Sequence, residues 1–213
     1  MAARSSIGVA RDPKVGITLN SRMTSKPKII LASGSPRRRE LLTRERVEFE
    51  VIQSGVDEVR ALHESARDYA LRMASEKALA VSARHRHRSV LAADTVVECN
   101  GEILEKPVDA DDAIRMLSTL AGRTHTVVTA FAIAFDARVI AAEAISSRVT
   151  FRALTAEEIA AYIATGEPFD KAGAYGIQGV GGGFISHVEG SRDNVMGLPT
   201  DEVIATLRRL EIL

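Results

Sequence analysis

The sequence predicts an α/β protein built on a mixed β-sheet, and three observations carry that prediction. Strand-like and helix-like stretches alternate through the early part of the chain, as in βαβ units. Further on, THTVVTAFAIAF and RVIAAEAISSRVTFR flank an Asp136-Ala137 turn as two long strands, a hairpin that breaks the βαβ rhythm. The chain has 213 residues, 46% of them hydrophobic and 26% charged, enough for one sizeable core, whole or split between two lobes.

The elements follow in order. KIILA (28–32) reads as a short apolar strand. A helix follows over about 36–44, with Ser35 as N-cap and Pro36 at its first position. FEVIQ (49–53) reads as a second strand and the stretch from Glu64 to about Arg84 as a long helix. SVLAADTVVECNGEILEKP gives a buried strand, an Asn100-Gly101 turn and a returning strand. Asp109 caps a helix that stops at Gly122, and the hairpin comes next. Thr155 with Glu158 is a capping box for a helix ending near Gly166. KAGAYGIQGVGGGFI then leads to a short strand, and a last helix of about 200–210 starts after Pro199.

Residues 25–213 are read as one domain, with residues 1–24 set apart. The first 22 residues hold Arg4, Arg11, Lys14 and Arg22 against one acid, Asp12, without a sustained period. The expectation is a disordered leader, or an over-called start with Met23 as the true beginning; a transit peptide shares the composition.

Bulk charge excludes little but directs the search. With 28 basic and 28 acidic residues the net charge is zero, which gives no support for nucleic-acid binding, so affinity for anions must come from local clusters. The single cysteine, Cys99, rules out an internal disulfide and fits a reducing, cytoplasmic setting. No apolar run is long enough for a membrane span, so no membrane partner is expected. His63, His85, His87, His125 and His187 have no metal-ligand spacing, and Ser33 and Ser35 lack a GxSxG elbow.

Several polar residues sit where bulk physics disfavours them. Arg37, Arg38 and Arg39 fall in the first helical turn, whose free N–H groups and dipole are already positive. Either they bend into solvent or an anion sits at that helix start. On a helical wheel, Ala66, Tyr69, Ala70, Met73, Ala74, Ala80 and Val81 share one face with Lys77 near its middle. That ammonium either snorkels to water or aims into a cleft, where a low dielectric strengthens anion binding. Asp94 lies within the apolar run VLAADTVV and needs a partner, a metal or a raised pKa; Thr95 beside it points to the opposite face of a regular strand. Lys106, Asp57 and Glu58 read, taken singly, as ordinary loop charges. Gly179 to Gly183 would let backbone N–H groups approach an anion, though they fit no standard phosphate loop. Together these features suit a polyphosphate carrying a divalent metal.

The motifs LASGSPRR, SGVDE, ASEKA, LAADTVV, GEILEKP, DKAGAYGIQG and GSRDNVMGLP, in this order from about Ile29 to Leu207, resemble the Maf family of nucleotide pyrophosphatases. The resemblance implies an elongated mixed sheet with flanking helices in two lobes around a central cleft, similar to the inosine-triphosphate pyrophosphatase fold. It implies hydrolysis of a nucleoside triphosphate to monophosphate and pyrophosphate with Mg or Mn, and a homodimer. By position, Asp94 matches the catalytic proton acceptor, and Ser33, Arg37, Arg38, Lys77 and Lys106 match phosphate-binding groups. Glu58, with Asp94, matches acids that help hold the metal, while Arg37, Thr95 and Gln178 match positions of base selectivity. SGSPRR and AGAYGIQG resemble the branch acting on dTTP and UTP; the substrate pool would include non-standard nucleotides. The rival expectation is a non-catalytic nucleotide-binding regulator of cell division, which would have little need for Asp94 in a buried strand.

Overall fold

The computed structural model describes residues 29–213, so the expectations for the leader lie outside the described residues. Strand β3 (Val90–Cys99) organises the sheet, because nearly every position of VLAADTVVEC is buried and both of its edges are used. On one edge it pairs antiparallel with β5 (Thr124–Phe135) along almost its full length, from Val90↔Ala134 to Glu98↔Thr126. The other edge is divided. Its start pairs parallel with β1 (Ile29–Leu31) at Ile30↔Val90 and Leu31↔Leu91. Its end pairs antiparallel with β4 (Glu102–Leu104), from Val97↔Leu104 to Cys99↔Glu102. Between those two partners the edge opens, and Asp94 lies in the opening.

The rest of the sheet extends outward from this axis. Parallel β2 (Phe49–Val51) lies beyond β1, while β6 (Arg138–Phe151) and β7 (Ile185–Glu189) continue antiparallel beyond β5. The described strands form a seven-stranded mixed sheet in the order β2-β1-β3-β5-β6-β7, with β4 beside β3.

Side-chain parity on β3 distributes the cores. Val90, Ala92 and Val96 face helix α2 (Ala66–Arg84), packing with Tyr69, Met73 and Ala74. Leu91 and Ala93 face the other way, into a core with Leu41 and Leu42 of α1 (Pro36–Arg44). Farther along that second face, Val97 and Cys99 join a separate core. Leu117 of α3 (Ala110–Leu120), Tyr162 of α4 (Ala156–Ile163), Phe151 and Phe184 complete it. Two lobes therefore share one sheet, and their seam crosses β3 at the opening in its edge.

The local starts follow sequence chemistry. Ser35 Oγ accepts from Arg38 N–H at 3.5 Å, with Pro36 leading α1. The Thr155–Glu158 capping box is present in both directions. Helix α2 begins two residues later than Glu64 suggested, capped by Ser65, and its buried face includes Lys77 and Ala78, whereas Ala80 is half-buried. Two features were not foreseen. Three short 3-10 turns occupy 167–170, 172–174 and 180–184, and a five-residue helix, α5 (Arg192–Met196), precedes α6 (Thr200–Arg209). Segments this short cannot display a helical period.

Candidate active site

Asp94 is 6% exposed, and an unpaired carboxylate there would cost several kcal/mol. Its even position on β3 turns it toward α2, where Lys77, also 6% exposed, meets it. Lys77 Nζ donates to Asp94 Oδ1 at 2.5 Å and to Glu58 Oε1 at 2.7 Å. The ammonium therefore points inward between two acids, and the snorkelling alternative is overturned. Among the described residues no hydrogen bond reaches Asp94 Oδ2. Lys106 Nζ closes the group with a 3.2 Å bond to Glu58 Oε2.

The opposite parity of Thr95 places it on the α1 side, as expected. Its Oγ1 lies 3.0 Å from Thr129 Oγ1, directly across the β3–β5 ladder, and accepts from Arg38 Nη2 at 3.2 Å. Arg38 also donates from Nη1 to Ser33 Oγ at 3.1 Å and from Nε to Gly197 C=O at 2.8 Å. The guanidinium is thus turned from the helix start into the seam and fixed there by three neutral acceptors. Thr129 Oγ1 in turn donates to the Asn194 carbonyl at 2.8 Å, so α5 backs this wall. Arg37 reaches the other lobe, donating to Asp170 Oδ2 at 3.2 Å, while Arg39 is exposed.

These groups line one cavity of about 490 Å³ in the seam. Ser33, Arg37, Arg38, Glu58, Lys77, Asp94, Thr95 and Lys106 all border it. So do Asp170, Lys171 and Tyr175, which sequence reasoning did not single out. The available clue was an acid–base pair directly before AGAYGIQG. A side chamber of about 30 Å³, bordered by Glu58, Tyr69, Asp94, Glu105 and Lys106, adjoins it. That is room for about one or two water molecules among several polar partners.

Two features singled out in the sequence lie away from this cavity. Gln178 does not border the cavity; it is exposed, and its Nε2 donates to Glu40 Oε1 at 3.2 Å. The glycines at 179–183 do not border it either, because their anion is internal. Val180 N–H and Gly181 N–H donate to the Glu167 carboxylate at 3.1 and 3.4 Å, and Tyr162 O–H donates to it at 3.1 Å. Gly179 has φ +77, and a Cβ there would stand 2.7 Å from Glu167 Oε2, so glycine is required for that approach.

The electrostatics separate the two acids of the Lys77 group. Burial pushes the Asp94 carboxyl above its ordinary value, and the neighbouring Lys77 and Arg38 only partly offset this. For Glu58, partial burial acts upward but is outweighed by Lys77 and Lys106, which hold its carboxyl below the usual range. Burial draws Arg38 down, against the pull of Asp94 and Glu58. Lining the cavity, five cations (Arg37, Arg38, Lys77, Lys106, Lys171) face three carboxylates (Glu58, Asp94, Asp170). Two positive charges are left over.

Residues 28–210 match the family described as Maf-like protein. A dTTP/UTP pyrophosphatase of Escherichia coli O157:H7 is 51% identical over 186 residues, covering 87% of this chain and 94% of that protein. A nucleoside triphosphate pyrophosphatase of Shigella flexneri is 50% identical over the same span. Among solved structures, a HAM1 protein from Coxiella burnetii aligns with a TM-score of 0.47 at 14% identity, covering 86% of this chain and 98% of that one. With a family match across nearly all the described residues and relatives at half identity, this chain belongs to the Maf-like protein family.

Proposed function

We infer that this protein hydrolyses nucleoside triphosphates, dTTP and UTP foremost and non-standard nucleotides among them, to the monophosphate and pyrophosphate. The observation that carries this reading is the opening in the β3 edge, where buried Asp94 meets a cavity with a surplus of two positive charges. A free nucleoside triphosphate bears about four negative charges, and one holding a divalent ion about two, so the surplus suits the metal-bound form. The named activity of the Escherichia coli relative supports the choice of dTTP and UTP.

The donor set also bears on the metal. Among the described residues no group of three or more His, Cys, Asp or Glu could hold an ion, and both Glu58 and Asp94 face Lys77. That suits Mg or Mn arriving on the triphosphate, with Glu58 and Asp94 supplementing phosphate oxygens, and does not suit a closed protein cage. When bound, such an ion offsets charge on the phosphate oxygens.

In the proposed reaction Arg37, Arg38 and Lys106 hold the triphosphate across the seam. Lys77, bonded to Asp94 Oδ1, favours the ionised carboxylate against the effect of burial. A water in the side chamber gives its proton to Asp94 Oδ2 as its oxygen bonds to the α-phosphorus. The bond from the α-phosphorus to the bridging oxygen breaks, and pyrophosphate leaves with the electron pair. A raised carboxyl pKa improves Asp94 as an acceptor near neutral pH. Thr95 and Arg37 border the cavity, and we assign base selectivity to them ahead of exposed Gln178.

We also propose a cytoplasmic setting and a homodimer. The lone thiol, Cys99, is buried and free, and among the described residues no helix is long and apolar enough to cross a membrane; sedimentation tests the dimer. The activity is tested by pyrophosphate release from dTTP, UTP, CTP, GTP and 7-methyl-GTP with Mg or Mn. Release led by dTTP and UTP is expected. Binding without release from any nucleotide would favour a regulator over an enzyme.

A further inference from the structure

Lys171 is a cation of the cavity without a task in the mechanism above. Its side chain is only 13% exposed, and its Nζ donates to the Glu167 carbonyl and to Asp170 Oδ1, each at 2.6 Å. The stem is held as firmly as the head. A Cβ at residue 176 would lie 2.9 Å from Lys171 Cε and 3.1 Å from its Cδ, so Gly176 is the space through which the stem passes. Such packing fixes the ammonium at the cavity wall instead of leaving it to water.

Asp170 links this cation to one from the other lobe. While Oδ1 takes Lys171, Oδ2 accepts from Arg37 Nη1 at 3.2 Å. The carboxylate is 60% exposed, whereas Arg37 and Lys171 are 24% and 13% exposed. Two largely sheltered cations thus share one exposed counter-ion at the cleft. An exposed carboxylate is a weak partner, and a phosphate group offers more oxygens and more charge to both cations.

We propose that Lys171 is a further triphosphate-binding residue and that Asp170 is a displaceable stand-in, occupying Arg37 and Lys171 until a phosphate group takes its place. The proposal rests on the nucleotide reading of the cavity. Under it, Asp170 weakens resting affinity and so limits retention of the charged product.

The test is calorimetric titration of the full chain with a non-hydrolysable α,β-imido analogue of dTTP and Mg. Lys171→Met keeps the stem beside Gly176 and removes the charge; its Kd is expected to rise by about tenfold or more. Asp170→Asn removes the competing charge and is expected to bind several-fold more tightly. A purely structural strap predicts weaker binding for both variants, so the sign of the Asp170→Asn change discriminates. Wild-type affinity in Lys171→Met, or weakened binding in Asp170→Asn, would overturn the proposal while leaving the nucleotide reading intact. A wild-type protein that takes up no analogue would overturn both.

Discussion

The seam around Asp94 and the glycine loop around Glu167 are both places where this chain brings anions and hydrogen-bond donors together, and they end in opposite states. In the loop, one carboxylate receives two backbone N–H groups and the Tyr162 hydroxyl, and the account closes within the protein. In the seam, three carboxylates face five cations and the account stays open. Glycines that can cradle an anion therefore do not mark a ligand site. A surplus of fixed charge around a cavity does.

Replacing Asp94 is the most severe way to break the contrast. Asp94→Asn is expected to lower turnover of dTTP by about a hundred- to ten-thousandfold, the usual worth of a general base. Its effect on stability has the other sign. The folded carboxyl lies above its unfolded value, so its contribution is greatest at low pH and is lost as pH rises through the folded pKa. The asparagine variant should therefore melt no lower than wild type above neutral pH. Reduced melting together with retained turnover would make Asp94 a structural residue.

Lys77→Met sharpens the same side of the comparison with a smaller effect. Loss of charge-assisted bonds to Asp94 and Glu58 should reduce kcat/KM by roughly 10- to 100-fold. Lys77 draws the Asp94 pKa down, so without it Asp94 protonates at higher pH and the acid limb of the rate profile moves upward. An unmoved limb, measured from kcat against pH, would uncouple the pair.

The mildest change tests the closed region. Glu167→Ala removes the carboxylate partner of the buried Tyr162 hydroxyl and Gly181 N–H and should cost about 1–3 kcal/mol, seen as melting some 2–10 °C lower, with KM for dTTP within about twofold. A large rise in KM without a change in melting would return the glycine loop to the ligand.

What was legible in the sequence divides along the same line. Ser35-Pro36, the Thr155–Glu158 box and the long hairpin are local signals, and they hold in the structure. The anomalies of Arg38, Lys77 and Asp94 were visible as violations of burial and dipole rules, and the cavity gathers all three. The direction of Lys77 was not legible, because a stem on an apolar face can end in water or in a cleft. Nor was the break in the β3 edge, which arises from where β1 and β4 stop and not from any property of VLAADTVV. The occupant of the glycine loop was hidden because Glu167 lies a dozen residues upstream, within a 3-10 turn that has no periodic signature.

The central claim is that a water beside Asp94 attacks the α-phosphorus of a triphosphate held in the seam. Its most direct test is hydrolysis of dTTP by the wild-type protein in heavy-oxygen water, with mass analysis of both products. The label should appear in the monophosphate and be absent from pyrophosphate. Label in pyrophosphate, or release of free phosphate instead, would contradict the account.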